Sequence, residues 1–208
     1  MLVLLLLQKG VMKMSTMPIE LYTDGSSLKN PGASGLAYVI RYWIDNNDNE
    51  MPEAKIIEGN QGFRLSTNNR MEIMAGIFGL RKIIECINTD PDFKGFTQIN
   101  LSSDSEYFCN AVNQHWINKW MQNNWMTSGY NGSTPKSVKN KDLWEQVIEL
   151  QETIRNMGLN LTLIHIKGHN GHEFNERCDQ LAVSASKDGT KHIIDEVYEK
   201  TTSIMNKK

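Results

Sequence analysis

The order of strand-type and helix-type segments constrains the fold of this 208-residue chain more than any other feature of the sequence. Three segments rich in β-branched and aromatic residues come first, followed by an amphipathic helix, a fourth strand, two helical segments, a fifth strand and a last helix. The strand segments are 19–23, 35–44, 55–64, 96–102 and 159–166, and the helical segments are 69–87, 105–112, 141–157 and 175–186. Each apolar face must be buried against another layer, so this order predicts an α/β domain with a mixed sheet covered by helices.

Composition adds two limits to this fold class. An apolar content of 39% in 208 residues is enough for one domain with a real core, and a net charge of −2 provides no overall basic field for a polyanion, although a local basic patch would suffice. The three cysteines, Cys86, Cys109 and Cys178, are odd in number and lack CxxC spacing. This pattern disfavours a disulfide framework or a zinc knuckle and favours a reducing compartment.

The two ends of the chain differ from its middle. The apolar run at residues 1–7 is far shorter than the roughly 20 residues that span a bilayer, and it lacks the flanks of a signal peptide. We therefore expect a weakly structured leader over 1–17, a folded domain over 18–187 and a C-terminal extension over 188–208. Ile193, Ile194, Val197 and Tyr198 predict one short helix in that extension. These features predict a cytoplasmic monomer without a membrane partner.

Four acidic residues, Asp24, Glu72, Asp104 and Asp179, lie at strand ends or in helices, where a scaffold can hold carboxylates in fixed positions. Converging carboxylates repel one another unless a cation neutralises them, and their oxygens suit Mg²⁺ or Mn²⁺. Each acid taken alone is explained equally well as a helix cap or a turn former. Together they predict a metal-dependent site.

Five motifs occur in order along the chain: TDGSSLKNPG, TNNRMEIMAG, SSDSEYF, VKNKDLW and IKGHNGHEFNERCDQLA. In this order, on these predicted elements, they resemble bacterial-type (type 1) ribonuclease H from about residue 19 to residue 186. The resemblance implies a ribonuclease H-like α/β fold, with a five-stranded mixed sheet flanked by helices on both faces. It also implies an endoribonuclease that hydrolyses the RNA strand of RNA–DNA hybrids and leaves 5′-phosphate and 3′-hydroxyl ends.

The same resemblance assigns roles to particular residues. It makes the four acids the ligands of two Mg²⁺ ions, for which Mn²⁺ can substitute, in a two-metal-ion mechanism. It gives His169 a part in proton transfer and product release, which suits a side chain that titrates near neutrality. It also implies three sets of substrate contacts. The backbone at Gly25 and Ser27, with the Glu72 side chain, would meet 2′-hydroxyl groups of the RNA strand. Asn68 and Asn69 would lie at the minor groove, and Asn30, Thr67 and Asn140 would surround a phosphate of the DNA strand. Asn68 and Asn69 could equally cap the helix.

Two departures from the family pattern concern substrate binding. Position 106 is Glu106 where bacterial members commonly have glutamine, and an ionised glutamate accepts hydrogen bonds but cannot donate one to a base. The segment 115–140 matches the basic protrusion of bacterial enzymes, yet between Tyr107 and Lys136 its basic residue is Lys119 alone. Trp116, Trp120, Trp125 and Trp144 match the aromatic framework of that protrusion, where packing is favoured over stacking on bases.

Three alternatives stay open at this point. Another nuclease or a strand-transfer enzyme of the same fold would also gather acids on these strands, but would not need the two motifs that match the hybrid-binding surface. A hybrid-binding module without catalysis would normally lack one of the acids, and all four are present. A zinc cluster of His165, His169 and His172 is disfavoured, because its spacing needs a helix where the pattern predicts a strand followed by Gly168.

Overall fold

The computed structural model describes residues 17–44, 52–127, 134–168 and 170–205, and its centre is a five-stranded sheet in the order β3-β2-β1-β4-β5. The strands are β1 Ile19–Ser27, β2 Gly32–Ile44, β3 Glu53–Ser66, β4 Gln98–Ser103 and β5 Asn160–His165. The first three pair antiparallel, whereas β4 runs parallel to β1 and β5 runs parallel to β4. The predicted mixed sheet of five strands is confirmed.

Six α-helices are present in the described residues, and they connect the strands or follow the last of them. They are α1 Asn68–Thr89, α2 Glu106–Asn113, α3 Trp116–Gln122, α4 Lys141–Asn156, α5 Glu173–Lys187 and α6 Glu196–Met205, with short 3₁₀ turns at Pro91–Phe93 and Gly189–Lys191. Helix α3 was not among the predicted helices. None of the described helices combines the length and the apolar content needed to cross a membrane.

The two faces of the sheet are covered by different helices. Side chains alternate along β1, so that Leu21 belongs to the large core with α1 and α4, while Tyr22 belongs to a smaller cluster with Cys178 and Ala182 of α5. Helices therefore lie on both faces, as predicted. Trp144 of α4 is fully buried in the large core. It anchors that side of the molecule.

The tryptophans of the segment 115–140 join this large core. The Trp120 ring centroid lies 5.7 Å from that of Trp144 and 6.1 Å from that of Trp116. Trp125 also packs against the large core. These contacts give the aromatic framework a packing role in the described part of the segment.

The C-terminal segment docks along the edge strand β3. The backbone of Ile193 donates to Gly62 O at 2.9 Å and accepts from Arg64 N at 3.1 Å, which forms a short parallel bridge to Phe63. Ile193 and Ile194, predicted as helical, are therefore outside α6, which begins at Glu196. An edge strand offers unpaired backbone groups, and this pairing satisfies two of them.

Candidate active site

The sheet register places Asp24 beside Asp104. Strand β1 pairs with β4 up to Thr23 opposite Ser103, so the next residues along the two parallel strands are Asp24 and Asp104. The sequence suggested that the first strand ends at Asp24. In the structure, β1 continues past Asp24 and pairs with β2 as far as Ser27. The backbone of Asp24 is therefore held by pairing with β2, and its carboxyl lies next to that of Asp104.

Helix α1 brings Glu72 to the same place through a close approach at Gly25. A Cβ atom at Gly25 would lie 2.4 Å from the backbone nitrogen of Glu72 and 2.6 Å from the carbonyl carbon of Met71, so only glycine allows this distance. The Gly25 N–H donates to Asp24 Oδ1 at 2.7 Å. The motif DGS thus fixes one carboxylate and admits the helix that carries another.

Helix α5 contributes Asp179 from the opposite face of the sheet. The neighbouring Cys178 is fully buried, and its Sγ atom lies 3.3 Å from the carbonyl oxygen of Tyr22 in β1. This contact sets α5 against the strand that carries Asp24. The four acids of the sequence prediction thus come from β1, α1, the end of β4 and α5.

The electrostatics show that these carboxyls are close. Burial, followed by the nearby carboxyls of Asp104, Asp179 and Glu72, raises the pKa of Asp24 to about 8, while the Gly25 hydrogen bond opposes the rise. Burial also raises the pKa of Glu72, as does Asp104, while hydrogen bonds from Ser105 and Asn68 oppose the rise. Without a cation, the site therefore favours protonation of some of its acids.

Three of the four carboxylates, those of Asp24, Glu72 and Asp104, accept hydrogen bonds in this arrangement. Ser105 Oγ and Asn68 Nδ2 both donate to Glu72, the latter at 2.7 Å, and Asn175 Nδ2 lies 3.4 Å from Asp104 Oδ2. Within the residues that the structure describes, these side chains do not form a group of three or more possible ligands around one point. The donor set fits a hard divalent cation, since it consists of one buried and three half-buried carboxylates whose charges need compensation.

The loop after β5 passes directly over this site. A Cβ atom at Gly168 would lie 2.7 Å from Asp104 Oδ2, so the loop backbone approaches the acids closely. His169 follows at once in the chain but lies outside the described residues. His165 is exposed at the end of β5, and His172 precedes α5 as its N-cap residue. The strand placement of His165 agrees with the argument against a zinc cluster.

The three residues expected around a DNA-strand phosphate line one cleft. Asn30, Thr67 and Asn140 border a cleft of about 900 Å³, together with the exposed Asn69. The Thr67 hydroxyl makes no capping hydrogen bond to α1, and Asn30 Oδ1 accepts from the backbone N–H of Asn68 at 3.3 Å. Three residues far apart in the sequence are thus brought to a common surface.

The remaining predicted contacts lie at the start of α1, the end of β1 and the first turn of α2. Asn68 bonds Glu72 through its side chain rather than capping the helix. Ser27 Oγ lies 2.9 Å from Ser34 Oγ of β2. Glu106 is exposed in the first turn of α2, where Asn110 Nδ2 lies 3.4 Å from its carboxylate.

Sequence reasoning missed three residues that support the site. Ser105 caps α2 and also bonds Glu72, and Asn175 is buried beside Asp104 with its Oδ1 atom unpaired in the described structure. Arg70 is buried below the cleft and bonds both Asp142 and Asp195. The SSDSE spacing offered a capping signal for Ser105. No local pattern pointed to the contacts of Asn175 and Arg70.

Comparison with known proteins agrees with this arrangement. The family model described as RNase H matches residues 16–187. The chain is 41% identical over 168 residues to ribonuclease H of Idiomarina loihiensis, covering 81% of this chain and 87% of that protein. It is 40% identical over 172 residues to ribonuclease HI of Pasteurella multocida, covering 83% and 92%.

Solved structures share the fold at lower identity. LC9-RNase H1, described as a type 1 RNase H with the type 2 active-site motif, has a TM-score of 0.61 at 23% identity and covers 83% of this chain and 72% of its own. The structure of LC11-RNase H1 in complex with RNA/DNA hybrid has a TM-score of 0.52 at 21% identity, covering 83% and 99%.

Fold and acids together define a nuclease of the ribonuclease H-like class. Within that class the matches are specific: the chain belongs to the ribonuclease H family and is of the bacterial type.

Proposed function

We propose that this protein is an endoribonuclease that hydrolyses the RNA strand of RNA–DNA hybrids and leaves 5′-phosphate and 3′-hydroxyl ends. The convergence of Asp24, Glu72, Asp104 and Asp179 carries the proposal, because the β1–β4 register, the close approach at Gly25 and the contact of Cys178 with β1 bring their elements together. Family membership and relatives named ribonuclease H support it. The complex of LC11-RNase H1 with an RNA/DNA hybrid adds a substrate of this type for a protein of the same fold.

The four acids would hold two Mg²⁺ ions, with Mn²⁺ as a substitute. Two such ions supply a nucleophilic water and stabilise the leaving oxygen of an in-line displacement at phosphorus. Gly25 fixes the position of Asp24, and Ser105 and Asn68 orient Glu72. These contacts limit the motion of the two carboxylates, as expected for a preorganised site.

The surface next to the acids would distinguish the two strands. The backbone at Gly25 and Ser27 lies at the end of β1, beside Glu72, where it can meet the 2′-hydroxyl groups of RNA. Asn68 and Asn69 begin α1 between the acids and the cleft, which suits contact with the minor groove. Asn30, Thr67 and Asn140 would hold a phosphate of the DNA strand with uncharged groups.

Several further assignments belong to the same proposal. His169 would assist proton transfer and product release from the loop that crosses Asp104. The catalytic domain would comprise 18–187, after a leader over 1–17 and before an extension over 188–208, in keeping with the family match over 16–187. A monomer in the cytoplasm is proposed as well, and three free, buried cysteines support a reducing compartment.

A cleavage assay on four labelled substrates tests the activity. RNA–DNA hybrid, RNA duplex, DNA duplex and single strands would be compared with and without Mg²⁺, and product ends would be identified by their response to a phosphatase. We expect cleavage of the hybrid alone, only with the metal. Cleavage of the DNA duplex would favour another nuclease of this fold, and binding of the hybrid without cleavage would favour a binding module.

A further inference from the structure

The C-terminal helix α6 forms a wall of the cleft that contains the predicted phosphate contacts. Opposite Asn30, Thr67 and Asn140, the cleft is lined by four residues of α6: Val197, Tyr198, Thr201 and Thr202. Its volume of about 900 Å³ is larger than one phosphate group requires. This shared cleft continues from the proposed substrate surface onto residues beyond the family match, which ends at 187.

Buried contacts fix α6 against the catalytic domain. Asp195, immediately before the helix, bonds Arg70 at 2.7 Å and Ser66 Oγ at 2.7 Å, and its side chain is 4% exposed. Arg70 also bonds Asp142 at the start of α4, so one guanidinium joins α1, α4 and the extension beneath the cleft. Glu199 adds a two-pronged contact to Arg64 of β3. The wall is therefore part of a fixed surface.

The lining of the cleft suits a polyanion backbone. Lys139 and Lys141 border it from the segment before α4, and Glu145 pairs with Lys141 at 3.4 Å. On the opposite side, the Thr201 and Thr202 hydroxyls donate to carbonyls of their own helix, and each would rotate away from that bond to donate to a phosphate. Phosphate backbones are bound by such mixtures of lysines, hydroxyls and amides, and these contacts position a duplex without reading its sequence.

We infer that α6 is an additional substrate-binding element, which contacts the DNA strand of the hybrid next to the phosphate held by Asn30, Thr67 and Asn140. The inference rests on the proposed function, and it assigns a binding role to the extension. Thr202 is the best probe, because it is half-buried in the cleft wall and its hydroxyl donates to the carbonyl of Tyr198 at 2.9 Å.

Charge substitutions at Thr202 test this role. Affinity for the hybrid would be measured with full-length protein in Ca²⁺ across a salt series. Thr202→Glu should weaken binding by about tenfold or more, because a like charge facing a phosphate is unfavourable. Thr202→Lys should strengthen binding and increase the salt slope by about 0.9, the value for one added phosphate contact.

Thr153 of α4 provides a matched control. Its hydroxyl donates to the carbonyl four residues earlier at 2.9 Å, as that of Thr202 does, but it lies about 18 Å along α4 from Lys141. Thr153→Glu and Thr153→Lys should change affinity little. If the Glu and Lys variants at Thr153 change hybrid affinity as much as those at Thr202, the effect is one of net charge and the inference is wrong.

A second measurement identifies the strand. Neutral methylphosphonate linkages in the DNA strand should reduce the affinity ratio between Thr202→Lys and Thr202→Glu by several-fold, and an unchanged ratio would contradict contact with that strand. Unfolding midpoints would confirm that both variants fold. Wild-type protein that does not cleave the hybrid would overturn the proposed function, whereas normal cleavage with inert Thr202 variants would overturn only the role of α6.

Discussion

At the level of single residues, Asp24 is the buried member of the four acids, whereas Glu72, Asp104 and Asp179 are half-buried. Asp24 is 8% exposed in the middle of a paired strand, which is costly for a charge and is tolerated only with compensation. A resident cation would provide that compensation. The residues that hold the acids are consequently as important as the acids themselves.

Removal of one metal-binding charge should nearly abolish activity. Asp24→Asn and Asp104→Asn should each lower the rate of hybrid cleavage by about three orders of magnitude, roughly 4 kcal/mol of transition-state stabilisation, while the protein still folds. Single-turnover cleavage in Mg²⁺ and circular dichroism would measure the two properties. Glu149→Gln, an exposed acid on α4, serves as the control. Substantial cleavage by either aspartate variant would contradict the two-metal assignment.

The raised pKa of Asp24 predicts an unusual pH dependence of stability. Its pKa is about 8 in the fold and 3.8 ordinarily, so between these values the folded chain binds a proton that the unfolded chain does not. Stability of the metal-free protein should therefore increase as pH falls from about 8 towards 4, by at most about 1.4 kcal/mol per pH unit.

Urea unfolding in a chelator at several pH values would measure this dependence. Asp24→Asn should flatten the profile, since the amide does not titrate, and should stabilise the metal-free protein at neutral pH. Mg²⁺ should stabilise the wild type most at high pH, where the carboxylates are ionised. A wild-type profile that falls steadily from pH 8 to pH 4 would be inconsistent with a protonated Asp24.

At the level of elements, the loop between β5 and α5 lies over the acids, as Gly168 shows. His169→Ala should therefore slow turnover without eliminating it, because an acid–base helper contributes at most about 10²–10⁴-fold while the metals remain. The turnover number at saturating hybrid would be measured, with added imidazole as a rescue agent. An unchanged turnover number would make this loop purely structural.

The C-terminal segment is joined to the domain by a buried ion pair, Arg70–Asp195, and by a more exposed one, Arg64–Glu199. Asp195→Ala should destabilise the protein by about 3–5 kcal/mol, because it leaves the Arg70 guanidinium, 4% exposed, without one of its two partners. Glu199→Gln, which breaks a pair with the 58% exposed Arg64 side chain, should cost at most about 1 kcal/mol. Urea unfolding would measure both, and equal costs would show that burial does not set the strength of the network.

At the level of the whole molecule, a net charge of −2 provides no excess of positive charge for a polyanionic substrate. The described part of the protrusion segment contributes Lys119, Lys136 and Lys139, and Lys141 begins α4 beside it. We therefore expect modest hybrid affinity with a shallow salt dependence, since each phosphate contact adds about 0.9 to the slope on B-DNA.

Hybrid affinity across a salt series in Ca²⁺ would measure this slope. Added lysines at the exposed Met121 and at Asn123, next to α3, should tighten binding and change the cleavage rate of the bound complex little. A steep slope in the wild type would mean that the basic surface lies elsewhere.

The local pattern of residues determined the class of fold and supplied the proposed members of the site. Periodicity over a few residues predicted five strands and the long helices α1, α4 and α5 in their observed order, because each element must present one apolar face. The motifs named the four acids, and the structure brings these residues together. The boundaries were less accurate: the polar run after Thr23 resembles a turn, yet pairing with β2 extends β1 to Ser27.

Only the tertiary structure decided how distant parts of the chain meet. Helix α3 follows His115, whose positive φ of 56° is set by its surroundings and not by a helix-start pattern. Arg70 finds its partners 72 and 125 residues away, and Ile193 pairs with β3 across the edge of the sheet. A sequence specifies what each segment can bury, but which side chains share a cleft depends on the packing of all layers at once.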